Sequence, residues 1–263
     1  MRILIVDSET ADINARNRAA VGYSTGEGYA QALQDCHSEA ACDIIAPYQG
    51  DTVPDLSLFD GAAFTGSGVD WCTDDAEAAP LARVMEACFA AGLPTVGSCN
   101  GMQLAATVLG GSNRASPNGR EDGLAKDIRL TDAGRTHPFM AGRQDGFAVP
   151  CVHRDEVALL PAGAILLAEN DHSPVQAFAV ESGGVRFWGV QYHPEYTLPF
   201  IAGRARAWQR VSEAVAADIE VADHDAEAVA RLGVRQSDLQ SSARLTELRN
   251  WLASLQVETV AQM

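Results

Sequence analysis

Four short runs in the first hundred residues are apolar on both faces, and they constrain the fold more than any other feature. The runs are 2–7 (RILIVD), 42–47 (CDIIAP), 61–66 (GAAFTG) and 93–98 (LPTVGS). Strands without a polar face belong in a parallel sheet that is covered by helices on both sides. Helix-favouring stretches at 26–36 and 75–92 separate these runs. We therefore expect an α/β fold with an open, mostly parallel sheet flanked by helices.

The sequence pattern of the rest of the chain changes twice, first to extended runs and then to a helical period. Residues 112–192 contain extended runs separated by Gly, Asn, Asp and Pro, which predict a small mixed-strand extension whose last strand returns to the main sheet. Residues 203–263 are helical by period. We expect one domain over 1–202, with 203–263 as a C-terminal helical extension packed on it. The connection over 8–30 is longer than usual, so it is either a substrate-side loop or a surface elaboration.

Charge and cysteine content exclude several classes of function. Nineteen basic against thirty-five acidic residues give a net charge of −16, which disfavours nucleic acid and anionic membranes as partners. No run reaches the roughly 18 apolar residues of a membrane span, and the amino terminus lacks a signal-peptide pattern, so cytoplasmic residence is expected. The six cysteines form no Cys-x-x-Cys pair, so neither a zinc cluster nor a disulfide framework is predicted.

One cysteine lies between two glycines where the fourth apolar run ends. The segment 97–101 (GSCNG) passes from a strand into a helix-forming stretch. Such a turn holds a nucleophile in a strained conformation at a helix amino terminus, where the dipole favours a thiolate. The N–H of Asn100 is well placed to bind a developing oxyanion. Taken alone, the pentapeptide is better explained as a structural cysteine, because short motifs recur by chance.

A histidine and a glutamate follow the last apolar run, as a candidate general base and the carboxylate that orients it. His193 and Glu195 are two residues apart in an extended segment, so their side chains leave the same side of the chain. Pro194 fixes its own φ and pushes His193 toward the extended region, which makes this geometry less flexible. A carboxylate beside an imidazole fixes its tautomer and stabilises the imidazolium. Together with the glycine-flanked cysteine, these residues predict Cys99 as nucleophile, His193 as base and Glu195 as its orienting partner.

The motifs 97–103 (GSCNGMQ) and 193–195 (HPE) resemble those of the class I (triad) glutamine amidotransferases. The similarity spans about residues 2–202 and is greatest to the glutaminase part of GMP synthase, judging from 59–67 (FDGAAFTGS) and 153–170 (HRDEVALLPAGAILLAEN). This resemblance implies a flavodoxin-like sheet and no cofactor.

The resemblance also implies a reaction. Cys99 would attack the side-chain amide of glutamine, forming a γ-glutamyl thioester as ammonia leaves for a partner synthase. The implied oxyanion donors are Asn100 and an amide of the Gly66-Ser67 turn, where relatives usually have two glycines. The implied substrate contacts are Gln103, Gly101 and Tyr192.

Other interpretations of the sequence remain. A stand-alone γ-glutamyl hydrolase acting on a substituted amide stays open because of the 8–30 segment. A non-enzymatic binding module is disfavoured by the complete Cys-His-Glu set. The segment 65–71 (TGSGVDW) resembles a pyrophosphate loop, but its place ahead of the nucleophile fits an oxyanion turn instead. For Cys151, His153 and Asp155 we favour a structural or substrate-side role over metal binding.

Overall fold

The computed structural model of the protein describes residues 1–261. Eleven strands occur in this stretch. They are β1 (Arg2–Val6), β2 (Ala41–Ile45), β3 (Gly61–Phe64), β4 (Thr95–Ser98), β5 (Ser112–Ala115), β6 (Glu121–Leu130), β7 (Phe147–His153), β8 (Asp155–Leu159), β9 (Ile165–Glu169), β10 (Ala177–Val180) and β11 (Phe187–Val190). Nine of them form one mixed sheet in the order β2-β1-β3-β4-β11-β10-β9-β6-β7, and β5 pairs with β8 separately.

The same residues contain eleven α-helices. They are α1 (Ala11–Val21), α2 (Thr25–Cys36), α3 (Ala79–Ala90), α4 (Asn100–Val108), α5 (Asp132–Thr136), α6 (Leu198–Ala207), α7 (Glu213–Val221), α8 (Ala226–Leu232), α9 (Gln236–Leu239), α10 (Ser241–Arg244) and α11 (Thr246–Ala261). Within the described part of the chain, none of these helices is both long and apolar enough to traverse a bilayer.

The parallel half of the sheet consists of β2, β1, β3, β4 and β11. The four apolar runs become β1 to β4, as predicted. The last strand pairs with β4 from Phe187 opposite Thr95 to Val190 opposite Ser98, which confirms that it returns to the main sheet. Because β4 and β11 are parallel neighbours, the segments that follow them leave the same edge of the sheet, where ligands bind in open α/β folds.

The other half of the sheet is antiparallel. It runs from β11 through β10, β9 and β6 to β7. The predicted fold class is confirmed, with the mixed-strand extension continuing the main sheet rather than standing apart from it.

Both faces of β1, β3, β4 and β11 are buried, as their sequences predict, whereas the edge strand β2 is partly exposed on both faces. Alternate residues of β1 belong to different cores, with Ile3 and Ile5 on one side and Leu4 and Val6 on the other. The first core includes side chains of α2 and α11, and the second includes side chains of α3 and α4. This alternation explains why β1 carries no polar residue from Ile3 to Val6.

The segment 8–30, expected to be either a substrate-side loop or a surface elaboration, is helical over half of its length, where α1 lies. Thr10 caps the helix by accepting a hydrogen bond from the N–H of Ile13, and Gly22 ends it with a φ of 90°. Buried residues are few in this helix, Ile13 and Asn14, so its sequence shows no apolar face of the usual width.

The C-terminal segment shares its core with the sheet. Trp251 of α11 is 2% exposed and lies in the same cluster as Ile3 and Ile5. Glu247 accepts hydrogen bonds from Arg143 and from the hydroxyl of Tyr192, each at 2.7 Å. The expected boundary after residue 202 falls inside α6, which continues without a break to Ala207.

Candidate active site

Cys99 occupies the strained turn between β4 and α4. Its φ of 49° and ψ of −104° lie where residues other than glycine are uncommon. The flanking glycines make the turn possible. A Cβ on Gly97 would lie 2.6 Å from the carbonyl carbon of Gly101, and a Cβ on Gly101 would lie 2.5 Å from the oxygen of Phe64. Each glycine therefore allows close backbone approach that a side chain would block.

His193 and Glu195 form a buried pair beyond the end of β11. Nδ1 of His193 lies 2.7 Å from Oε1 of Glu195, and the two residues are 1% and 6% exposed. The ring of Tyr196 stacks on the imidazole at a centroid separation of 4.0 Å. A Cβ on Gly66 would lie 2.4 Å from Cε1 of His193, so the glycine also fixes where the ring can sit. Nε2 of His193 makes no hydrogen bond of ordinary geometry within the described residues, and the Cys99 thiol is the group close enough to act on it.

Electrostatics favour a protonated imidazole at this position. Burial lowers the pKa of His193, but the charge of Glu195 and the neighbouring Cys99 thiol raise it, with a result of about 9. The thiol also lies 3.6 Å from the carbonyl oxygen of Val152. The structure thus brings Cys99, His193 and Glu195 together, although more than ninety residues separate the cysteine from the other two.

A cavity of about 930 Å³ opens over the cysteine. Cys99, Asn100, Gln103 and His193 are among the residues that line it. The remaining walls come from α1, from the segment 67–71, from 152–155 and from α6 with the residues around it. The cavity therefore extends well past the sulfur toward two helices at the rim.

Two backbone segments near the sulfur can donate hydrogen bonds. Asn100 begins α4, and N–H groups of a first helical turn lack intrahelical acceptors. Ser67 also lines the cavity, and its N–H meets no acceptor among residues 1–261. The next amide is not available, because Gly68 N–H donates to both carboxylate oxygens of Glu9 at 3.0 and 2.9 Å.

Comparison with known proteins places this site in a family. The family model described as glutamine amidotransferase class-I matches residues 67–199. The γ-glutamyl-L-1-hydroxyisopropylamide hydrolase of a Pseudomonas species is 31% identical to the chain, over 98% of the chain and 94% of that protein. The chain belongs to the class-I glutamine amidotransferase family. It is accordingly an enzyme of the cysteine amide hydrolase type.

Two further relatives extend the comparison. A GMP synthase (glutamine-hydrolysing) of Bordetella avium is 37% identical over 57% of this amidotransferase, a match that covers 29% of the synthase. A glutamine amidotransferase of Thermotoga maritima has a crystal structure that superposes with a TM-score of 0.67 over 97% of both chains at 16% identity. The second match supports the fold.

The three predicted substrate contacts of the amidotransferase differ in whether they line the cavity. Gln103 lines the cavity and donates from Nε2 to the carbonyl oxygen of Asp155 at 2.7 Å. Gly101 does not line the cavity but packs against β3, as its close approach to Phe64 requires. Tyr192 is also absent from the cavity wall, being fully buried with its hydroxyl bound to Glu247. Of the three predicted substrate contacts, Gln103 is the one that lines the cavity.

A second Cys-His-Glu cluster lies at the wall of the cavity, which its histidine lines. The ligand atoms of Glu121, Cys151 and His153 lie within 4.8 Å of one another. Cys151 is fully buried and does not line the cavity, and burial together with Glu121 raises its pKa well above the ordinary value. The carboxylate of Glu121 already accepts hydrogen bonds from Asn170 at 2.7 Å and Gln176 at 2.8 Å, and lies 2.9 Å from Nε2 of His153. This cluster is a buried structural network, with neither an accessible nucleophile nor a carboxylate free for a metal.

Sequence reasoning missed Glu9, a fully buried carboxylate between β1 and α1. Burial raises its pKa to about 7, against the opposing charge of Arg204 and the hydrogen bond from Gly68. An acidic residue in an apparent loop gives no signal of burial, since such residues are almost always exposed.

Proposed function

We propose that this amidotransferase hydrolyses γ-glutamyl amides through a thioester on Cys99, with His193 as proton carrier and Glu195 as its orienting partner. The observation that carries the proposal is the buried His193–Glu195 pair beside a cysteine held at a positive φ on the floor of a large cavity. A cysteine nucleophile, a base and a group that orients the base are the parts that such chemistry needs.

In the first half of the reaction, the Cys99 thiolate attacks the γ-carbonyl carbon. A carbon–sulfur bond forms and the carbonyl electron pair moves to oxygen, where the N–H groups of Ser67 and Asn100 stabilise the charge. Collapse of this oxyanion breaks the carbon–nitrogen bond. The imidazolium of His193 gives its proton to the departing amine.

In the second half, water attacks the thioester. His193 takes a proton from the water while the carbonyl electrons again move to oxygen. Collapse then expels the Cys99 thiolate and releases glutamate. His193 is left protonated beside the thiolate, as at the start.

For the substrate, we favour an N-substituted γ-glutamyl amide over free glutamine. Pockets for drug-sized ligands measure about 300–1,000 Å³, and a cavity of about 930 Å³ is at the upper end of that range, far more than one small amino acid fills. The extra room lies toward α1 and α6. The hydrolase relative that aligns over 94% of its length acts, by its name, on such an amide.

The test compares two substrates with the purified full chain. Glutamate release is measured from γ-glutamyl-L-1-hydroxyisopropylamide and from L-glutamine. We expect kcat/KM to be at least about tenfold higher for the substituted amide, a difference of about 1.4 kcal/mol. Cys99→Ala should abolish turnover, while Cys42→Ala, at a half-buried thiol in β2, should leave it unchanged. Efficient turnover of glutamine alone would overturn the substrate assignment.

The second candidate is a glutaminase that passes ammonia to a partner synthase. The 37% identity to GMP synthase over 57% of the chain favours it. This function predicts turnover of glutamine that rises when the partner is added, and no turnover of the substituted amide.

A further inference from the structure

Glu9 connects the end of β1 to the segment that carries Ser67. Its carboxylate accepts both hydrogen bonds from Gly68 N–H, and Oε2 lies 3.1 Å from the hydroxyl of Ser67. The Ser67 hydroxyl also donates to the carbonyl oxygen of Ser8 at 2.6 Å. Glu9 is held in turn, because its own N–H donates to Asp7 at 3.0 Å. The two segments are therefore tied together at several points.

These hydrogen bonds fix two parts of the site: the N–H of Ser67 and the backbone at Gly66, against which the ring of His193 packs. The carboxylate binds Gly68 N–H, whereas the N–H of the adjacent Ser67 meets no acceptor among residues 1–261. Gly66, one residue earlier, packs against the ring of His193, with a Cβ position only 2.4 Å from Cε1. A shift of the segment 66–68 would move both an amide donor and the surface against which the imidazole rests.

The burial of the Glu9 carboxylate is unfavourable unless other groups compensate for its charge. Ionised carboxylates are almost never fully buried unless they are paired, and Glu9 has no ion pair within 4.0 Å among the described residues. Arg204 of α6 faces it at longer range, and Asp7 adds a like charge nearby. The charge of Arg204 is the largest compensation for burying Glu9. The hydrogen bonds to 67–68 come next and are the shortest direct contacts of the carboxylate, since the Thr25 hydroxyl lies 3.5 Å away.

Building on the proposed function, we propose that Glu9 is a positioning residue for the oxyanion site. Its carboxylate fixes the segment 66–68 so that Ser67 N–H faces the substrate carbonyl above Cys99. It does not itself touch the reacting atoms.

The test uses Glu9→Ala, Glu9→Gln and the control Glu39→Ala, whose side chain is exposed on the surface. Loss of an oxyanion donor lowers kcat by about 100-fold or more, so Glu9→Ala should lower kcat by about that factor with KM changed less than about threefold. Alkylation of Cys99 by iodoacetamide needs no oxyanion donor, so its rate should stay near that of the wild type. Glu9→Gln should recover most of kcat, because its amide oxygen can accept from Gly68 while its NH₂ faces the Ser67 hydroxyl.

Each outcome decides the proposal. A kcat for Glu9→Ala within about threefold of wild type overturns it, as does an equal loss of alkylation rate, which would indicate general damage to the site. If Glu9→Ala fails to fold in a urea titration, Ser67→Ala replaces it, with an expected fall in kcat of about tenfold; unchanged kcat there also overturns the proposal. Wild-type protein that turns over no γ-glutamyl amide would overturn the proposed function itself, and this inference with it.

Discussion

The charge of Glu195 can be removed with little change of shape by Glu195→Gln. The pKa of His193 lies at about 9 rather than 6.5, and each pKa unit corresponds to about 1.4 kcal/mol, so the folded protein stabilises the imidazolium by about 3 kcal/mol. Because burial works against this stabilisation, Glu195 and Cys99 together supply more than the net amount. If Glu195 supplies most of it, the variant should lose about 2 to 3 kcal/mol, which is roughly a 30- to 150-fold fall in kcat at neutral pH.

The pH dependence of Glu195→Gln provides an independent check. A pKa raised in the folded state means that the stabilising charge is present at lower pH and is lost as the pH rises through about 9. The alkaline limb of kcat/KM should therefore lie near pH 9 in the wild type and move to lower pH in the variant. A variant with kcat within about threefold of wild type and an unmoved alkaline limb would refute the role of Glu195.

Three further variants test other parts of the structure. Gly66→Ala places a Cβ 2.4 Å from Cε1 of His193, so kcat should fall about 100-fold through displacement of the ring; wild-type kcat would show that the ring tolerates the methyl. Trp251→Ala removes a side chain that is 2% exposed, so it should lower the free energy of unfolding, measured in urea, by about 3 to 5 kcal/mol. The control Trp208→Ala, at a side chain 39% exposed, should lower it by less than about 1 kcal/mol. Equal losses in the two variants would contradict a core shared by α11 and the sheet. Burial raises the pKa of Glu9 from 4.5 to about 7, so the free energy of unfolding of the wild type should decline as the pH rises between these values. Glu9→Gln should remove that decline. Urea midpoints that change with pH in the same way in both proteins would refute this prediction.

The sequence predicts the parallel half of the fold because each element there has a strong local pattern. The runs that become β1 to β4 are mostly apolar on both faces, and the glycines at 97 and 101 mark a turn that only small residues allow. The meeting of Cys99 with His193 was predictable because β4 and β11 are neighbours whose ends carry the two motifs.

The rest depends on contacts that no local pattern encodes. Helix α1 buries only Ile13 and Asn14, and the amide of Asn14 donates to the buried carboxylate of Asp7 at 2.9 Å, so its stability comes from tertiary contacts rather than from an apolar face. Tyr192 follows a strand that leads to the catalytic motif, yet its hydroxyl binds Glu247, which lies 55 residues further along the chain. Periodicity and motif spacing cannot report a partner at that distance.

In the proposed mechanism a single sulfur, that of Cys99, carries the acyl group. Mixing the full chain with γ-glutamyl-L-1-hydroxyisopropylamide, quenching in acid within the first turnover and mapping peptides by mass spectrometry would locate the adduct among the six cysteines. We predict a γ-glutamyl group on the peptide that contains Cys99, and none in Cys99→Ala. An adduct on Cys151 or Cys72, or continued turnover by Cys99→Ala, would contradict the account.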